Sequence, residues 1–243
     1  MDLSNNPDLT VIIPCYNKFE SITQVVNNLE ILLKFNRIDF RLIVIDDGSI
    51  DGTTDLLRSF PKDFLDFVEL PTNFGKGYAI RTGLSQISNS FVAIFDADLD
   101  LNPDSLIEAF KILSSSTDYD LVIGSKLHKD SKVGYPISRR VLSFFYRKLI
   151  GILFNLKVTD TQVGIKMFRF KTIQTISEKL SINSFAIDLE ILVVANDLGF
   201  VIKEIPINLD HKFNSTVNLV SIFKILKDTL LLKYRTLVQI KHH

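Results

Sequence analysis

Short apolar runs rich in β-branched and aromatic residues alternate, through the first part of the chain, with stretches whose apolar positions recur every three or four residues. The first spacing is that of a strand buried on both faces, and the second that of a helix with one apolar face. Leu9 to Pro14 reads as a buried strand ending in a Pro-Cys-Tyr-Asn turn. A helix from about Phe19 to Phe35 follows, with Ile22, Val25, Val26, Leu29 and Leu33 on one face. Phe40 to Ile45 is a second strand closed by Asp46-Asp-Gly-Ser49, after which Asp51 or Thr53 caps a helix. Phe67 to Leu70 makes a third strand, Gly75 to Ile87 a helix, and the run from Phe91 a fourth strand. This rhythm predicts an α/β fold, a mostly parallel sheet with helices on both faces. Ligands in such folds bind beyond the carboxyl ends of strands. Pro14 to Asn17, Asp46 to Ser49 and Asp96 to Asp100 should therefore converge.

Further along, Leu121 to Lys126 and Phe200 to Ile205 read as strands, and Ala186 to Leu198 as an apolar helix carrying Asp188 and Glu190. Ile137 to Lys157 reads as one helix, starting after Pro136 or capped by Ser138. On a helical wheel Arg139, Arg140, Ser143, Arg147, Lys148, Gly151, Asn155 and Lys157 share one half, interrupted by Phe144, Ile150 and Phe154. Val141, Leu142, Phe145, Leu149, Ile152, Leu153 and Leu156 take the other. Val217 to Gln239 places Leu219, Phe223, Leu226, Leu230 and Leu237 on one stripe opposite several basic residues. The expected organisation is a main domain over residues 1–215 and a C-terminal amphipathic helical tail over 216–243. Both basic amphipathic helices suit a membrane interface, and a face packed on the domain or on a membrane partner subunit is the alternative.

Composition narrows the class. A chain of 243 residues with 46% hydrophobic content can bury a large core, and its formal net charge of zero gives no bulk attraction to nucleic acid. The single cysteine, Cys15, excludes an internal disulfide framework and fits a reducing compartment. The polar start of the chain shows no signal peptide, and no run is long and apolar enough to span a bilayer. The four histidines (His128, His211, His242 and His243) have no ligand spacing. These features predict a location in the cytoplasm, peripherally attached to the cytoplasmic face of a membrane.

Candidate chemistry centres on Asp96, Asp98 and Asp100. Alternate residues of a strand share a face, so Asp96 and Asp98 should aim into one small volume if the strand geometry persists past Phe95. Oxygen-only clusters of this kind suit Mg2+ or Mn2+ carrying the phosphates of a ligand; a solvated acidic turn is the alternative. Gly75-Lys76-Gly77 opens a helix, where glycines and a lysine favour close approach of an anion. Arg81, one turn on, braces the same site or makes a surface ion pair.

Together Val11 to Asn17, Val44 to Thr53, Asn73 to Ala79 and Asp96 to Asp98 resemble, in order and spacing, the family-two inverting glycosyltransferases with the GT-A (Rossmann-like) fold. Thr159 to Lys166 and Phe185 to Glu190 narrow the resemblance to the dolichyl-phosphate or polyprenyl-phosphate hexosyltransferase branch, closest to the glucosyl type. The resemblance covers roughly residues 9–235. It implies that Pro14, Tyr16 and Asp46 hold the nucleoside, with Gly75 and Lys76 near the donor nucleotide. It also implies that Asp96, Asp98 and Asp100 carry Mg2+ or Mn2+, and that Asp188 lies near a sugar. Lys126 and Arg139 or Arg140 would position the lipid phosphate. The implied donor is a nucleotide-sugar, UDP-glucose favoured over GDP-mannose, and the implied acceptor a polyprenyl or dolichyl phosphate at a membrane surface. A polysaccharide or other non-lipid acceptor is the alternative. Two departures stand out. Asp100 replaces a common glutamine, and Lys18 stands where the family usually has glutamate, so a hydrogen-bond acceptor is lost or moved to Glu20.

Overall fold

The apolar runs pair into one seven-stranded sheet: β1 (Leu9–Cys15), β2 (Phe40–Asp46), β3 (Leu65–Glu69), β4 (Phe91–Phe95), β5 (Leu121–Ser125), β6 (Ile165–Arg169) and β7 (Ile202–Pro206). Helices α1 (Ile22–Phe35), α2 (Thr53–Arg58), α3 (Lys76–Leu84), α4 (Asp104–Ser115), α5 (Ile137–Phe154), α6 (Phe170–Ser177) and α7 (Ile187–Asp197) connect them. A further helical stretch, α8, covers 226–235. In this computed structural model the described residues are 8–60, 63–87, 90–99, 101–131, 137–209 and 226–235, with the backbone alone over 137–144.

Strand order is β3-β2-β1-β4-β6-β5-β7. β1 lies parallel between β2 and β4, with Leu9 opposite both Phe40 and Phe91. Leu9, Val11, Ile12 and Ile13 of β1 are fully buried, which explains the uninterrupted apolar run. From β1 the chain order departs in both directions, and the crevice beyond its carboxyl end is where such a sheet receives a ligand. β6 runs antiparallel to both β4 and β5, so the sheet is mostly rather than wholly parallel. Sequence periodicity gives no sign of β6, because Lys166 interrupts its apolar run. Among the described helices none is long and apolar enough to cross a membrane.

The second half corrects the helical-wheel expectation. Ile150 and Phe154, placed on the basic half of α5, are the buried ones among its described side chains, packed with Ile182, Ala186, Leu189, Val193 and Leu232 in a small second core. Phe145 and Ile152, placed on the apolar half, are 64% and 82% exposed. The reason is tertiary: α7 and α8 supply apolar partners to Ile150 and Phe154, with Leu153 and Leu156 of the expected apolar half packed partly against the same cluster. α8 is also docked rather than free, with Leu232 and Thr229 buried, Asp228 accepting from Ser184 at 2.5 Å, and Tyr146 bonded to Thr229 at 3.0 Å. Leu230 of the expected stripe faces outward. Most of the expected tail helix, Val217 to Gln239, lies outside the described residues.

Candidate active site

Two loops at the carboxyl end of the sheet are sewn together before any ligand is considered. Asn17 takes a left-handed conformation with φ of 50° and accepts from the Ile50 amide at 2.9 Å, while its own amide donates to Ser49 Oγ at 2.8 Å. Lys18 N donates to Thr53 Oγ1 at 2.9 Å, and Phe19 N to Asp51 at 3.1 Å. Asp46 lies fully buried beneath this junction, accepting from the Ser49 hydroxyl and amide and from Thr54 Oγ1 at 2.5 Å. The next residue, Asp47, accepts from the amides of Phe74 and Gly75, each at 2.8 Å. Burial outweighs those two bonds and raises the Asp47 carboxyl above its usual range.

Gly75 and Gly77 are glycines for a packing reason. A Cβ on either would collide with the carbonyl oxygens of Asn183 and Ile182, and the Gly77 amide donates to Asn183 O at 2.7 Å. Arg81 braces the same contact, donating to Ile182 O at 2.7 Å. Glu190 fixes the other side, accepting from the Ser181 and Ile182 amides. The amides of Phe74, Gly75 and Gly77 are therefore engaged by protein oxygens, and the charge that this helix start brings to the cleft is that of the Lys76 side chain.

Between these walls lies a cleft of about 580 Å³, lined by Pro14, Tyr16, Lys18, Asp47, Asn73, Gly75, Lys76, Asp96, Asp98 and Phe185, among others. Lys76 reaches Asp96 Oδ1 at 2.8 Å and Asp188 Oδ2 at 2.7 Å. Lys166, 1% exposed, holds the other Asp188 oxygen at 2.6 Å and donates to Val163 O at 2.7 Å. Burial opposes charge on both partners. Asp188 and Asp96 nonetheless hold the Lys76 ammonium above its ordinary pKa, while Lys166 and Lys76 hold Asp188 below the usual carboxylate range. Asp188 also sits in the first turn of α7, where a helix favours negative charge. Asp98 pairs with Lys18, and Ser21 Oγ donates to the Ala97 carbonyl between the two aspartates at 3.1 Å. Gly164 packs against Asp96: a Cβ there would stand 2.6 Å from Asp96 Oδ2.

The Glycosyl transferase family 2 model matches residues 10–177, which run from β1 to the end of α6 and include Asp47, Asp96 and Asp98 of the cleft. The chain belongs to glycosyltransferase family 2. As a family-2 enzyme it is a glycosyltransferase. It is similar to a dolichyl-phosphate beta-glucosyltransferase of Trichomonas vaginalis, 26% identical over 91% of this chain and 72% of that one. A dolichyl-phosphate beta-glucosyltransferase of Dictyostelium discoideum is 27% identical over 97% of this chain and 77% of its own. In fold it is similar to glucosyl-3-phosphoglycerate synthase of Mycobacterium tuberculosis solved with UDP, with a TM-score of 0.72, 18% identity and coverage of 93% and 79%. Mannosyl-3-phosphoglycerate synthase of Rubrobacter xylanophilus aligns at a TM-score of 0.76 and 16% identity, over 98% of this chain and 76% of that one.

The sequence-predicted residues of this glycosyltransferase distribute unevenly. Pro14, Tyr16, Gly75, Lys76, Asp96 and Asp98 meet in the cleft. Asp46 does not line it, because its oxygens are spent on the loop; Asp47 does. The Lys126 ammonium is folded onto its own neighbourhood, 3.4 Å from Gln162 O and 3.9 Å from Asp160. Asp100 and the side chains of Arg139 and Arg140 lie outside the described residues. Lys166 and Gly164 escaped sequence reasoning as site residues. A lysine inside a buried apolar strand was the available signal for the first, since such a charge persists only when paired.

The donor set fits a divalent cation. Asp96 Oδ1 is buried, with its charge met by the Lys76 ammonium at 2.8 Å. Among the described residues no three acidic, histidine or cysteine side chains cluster as a metal site. Two carboxylates completed by phosphate oxygens and water is the usual way Mg2+ is held beside a nucleotide.

Proposed function

We propose that this glycosyltransferase moves a hexose, glucose in preference to mannose, from a nucleoside-diphosphate sugar to a polyprenyl or dolichyl phosphate, with inversion and with Mg2+ or Mn2+. The observation that carries this reading is the Asp96–Asp98 pair in a lysine-bearing cleft, in a chain similar over nearly all its length to two dolichyl-phosphate beta-glucosyltransferases.

A cation held by Asp96 and Asp98 would offset the charge of the departing diphosphate. Lys76, fixed by Asp188 from behind, keeps a positive charge at the same wall without spending rotamer freedom during the reaction. The bond from the anomeric carbon to the diphosphate oxygen breaks as a lipid-phosphate oxygen bonds from the opposite face. That nucleophile is already ionised near neutral pH, so no strong general base is demanded. Asp188 fits this economy, since Lys76 and Lys166 engage both its oxygens. On this reading Tyr16, Pro14 and Asp47 would enclose the nucleoside, and Lys126 with Arg139 or Arg140 would receive the acceptor phosphate.

The acceptor's chain implies contact with a membrane surface. Phe145 and Ile152 of α5 and Leu230, Leu231 and Tyr234 of α8 are exposed, and rings or aliphatic chains in such positions favour an interface. UDP release from UDP-glucose with Mn2+ should rise at least about tenfold when polyprenyl phosphate is presented in liposomes. The double replacement Phe145→Ser and Ile152→Ser should reduce that stimulation on a long lipid more than on a short soluble analogue. Release indifferent to the lipid would count against this acceptor, and equal loss on both analogues against the α5 surface.

A further inference from the structure

The cleft aspartates do not stand alone. Asp96 faces Lys76, Asp98 faces Lys18, and Asp188 behind them faces Lys76 and Lys166, so three carboxylates meet three ammonium groups. Each of the two carboxylates that would face a divalent cation is therefore already paired with an ammonium group of the protein itself. Lys76 and Lys166 are fixed by the buried Asp188, but Lys18 is not. Among the described residues its ammonium pairs with Asp98, and its side chain is 34% exposed. Its backbone is anchored independently through Thr53. A free cation approaching Asp98 meets a positive charge already there, and the two described carboxylates offer it few ligands. A nucleoside diphosphate brings both the missing oxygens and the negative charge that would draw Lys18 away.

From this we infer that Lys18 is an internal counter-ion of Asp98 that couples cation binding to nucleotide binding. The site takes the metal together with a diphosphate and discriminates against the metal alone. The inference rests on the metal-dependent reading given above and adds to it the order in which the site is filled. Lys18 is in these terms a positioning residue, acting on the cation through Asp98.

The coupling is read by Mn2+ binding followed by electron paramagnetic resonance, without and with saturating UDP, on the full chain. The parent should bind Mn2+ weakly alone and far more tightly with UDP. Lys18→Gln and Lys18→Met, which leave the Thr53 backbone contact in place, should bind Mn2+ alone about tenfold more tightly, the effect of removing one unit charge a few ångströms from a divalent ion near water. Their gain on adding UDP should shrink correspondingly, while Lys18→Arg should behave as the parent. Two neutral variants guard against one failing to fold, and unchanged thermal unfolding certifies each. If UDP enhances Mn2+ binding equally in parent and neutral variants, Lys18 has no such role although the metal reading stands. If no form binds Mn2+ even with UDP, the metal reading falls and this inference with it.

Discussion

Asp188→Ala should destabilise the enzyme by about 3–5 kcal/mol, the usual consequence of removing one partner from a buried ionic cluster. The cost arises because Lys166 is 1% exposed and cannot reach water to solvate its charge, while Lys76 keeps Asp96 as its remaining acidic partner among the described residues. Urea unfolding followed by circular dichroism measures it. The companion Lys166→Met, combined with Asp188→Ala, should recover part of the loss, since one stranded charge then disappears. The same cluster sets an acid limit. Asp188 lies below its ordinary carboxylate value because Lys166 and Lys76 overcome the opposing effect of burial. Its contribution is therefore complete above the unfolded pKa of about 4 and is lost as pH falls through the depressed folded value. A destabilisation under about 1 kcal/mol would mean that water reaches Lys166 and that the cluster is not a buried one.

Asp98→Asn should lower transfer by at least about a hundredfold while leaving the unfolding midpoint nearly unchanged. The two effects separate because the Asp98 side chain is 55% exposed, so its replacement touches no core packing, whereas the charge it loses faces the cleft beside Asp96. An exposed ion pair with Lys18 contributes little to stability, which is why the fold should tolerate the change. Asp96→Asn should be as damaging to activity and more damaging to folding, because the neutral amide no longer balances the Lys76 ammonium that Asp96 pairs with at 2.8 Å, away from bulk water. Steady-state kinetics at saturating donor, beside thermal unfolding of each variant, distinguishes them. Full activity in Asp98→Asn would reduce the acidic end of β4 to a turn.

How far the chain could be read without its structure depended on the range of the contact. The strand ends that build the cleft were visible because each is a local event: a buried apolar run stops and a polar turn begins. Hence Pro14, Tyr16, Lys76, Asp96 and Asp98 were legible together. Asp46 and Asp47 were not separable, since adjacent acids differ only in which side of the strand end they face, and Thr54 claims the first. The Gly75 and Gly77 pattern was visible but its cause was not; the partner that forbids a side chain lies at Ile182 and Asn183, far along the chain. Lys166 is the same case with charge in place of volume, its partner Asp188 belonging to another element. α5 failed for a different reason. A wheel counts polarity, but the face that is buried is the one a neighbour covers, and α7 and α8 cover Ile150 and Phe154.

One measurement bears on the whole account. The enzyme is incubated with UDP-[14C]glucose, Mn2+ and liposomes containing polyprenyl phosphate, and the label is partitioned between organic solvent and water. The account predicts a glucosylated lipid phosphate in the organic phase, absent when EDTA replaces Mn2+ and absent with Asp98→Asn. Label found only in water-soluble product, or lipid product formed undiminished in EDTA, would contradict it.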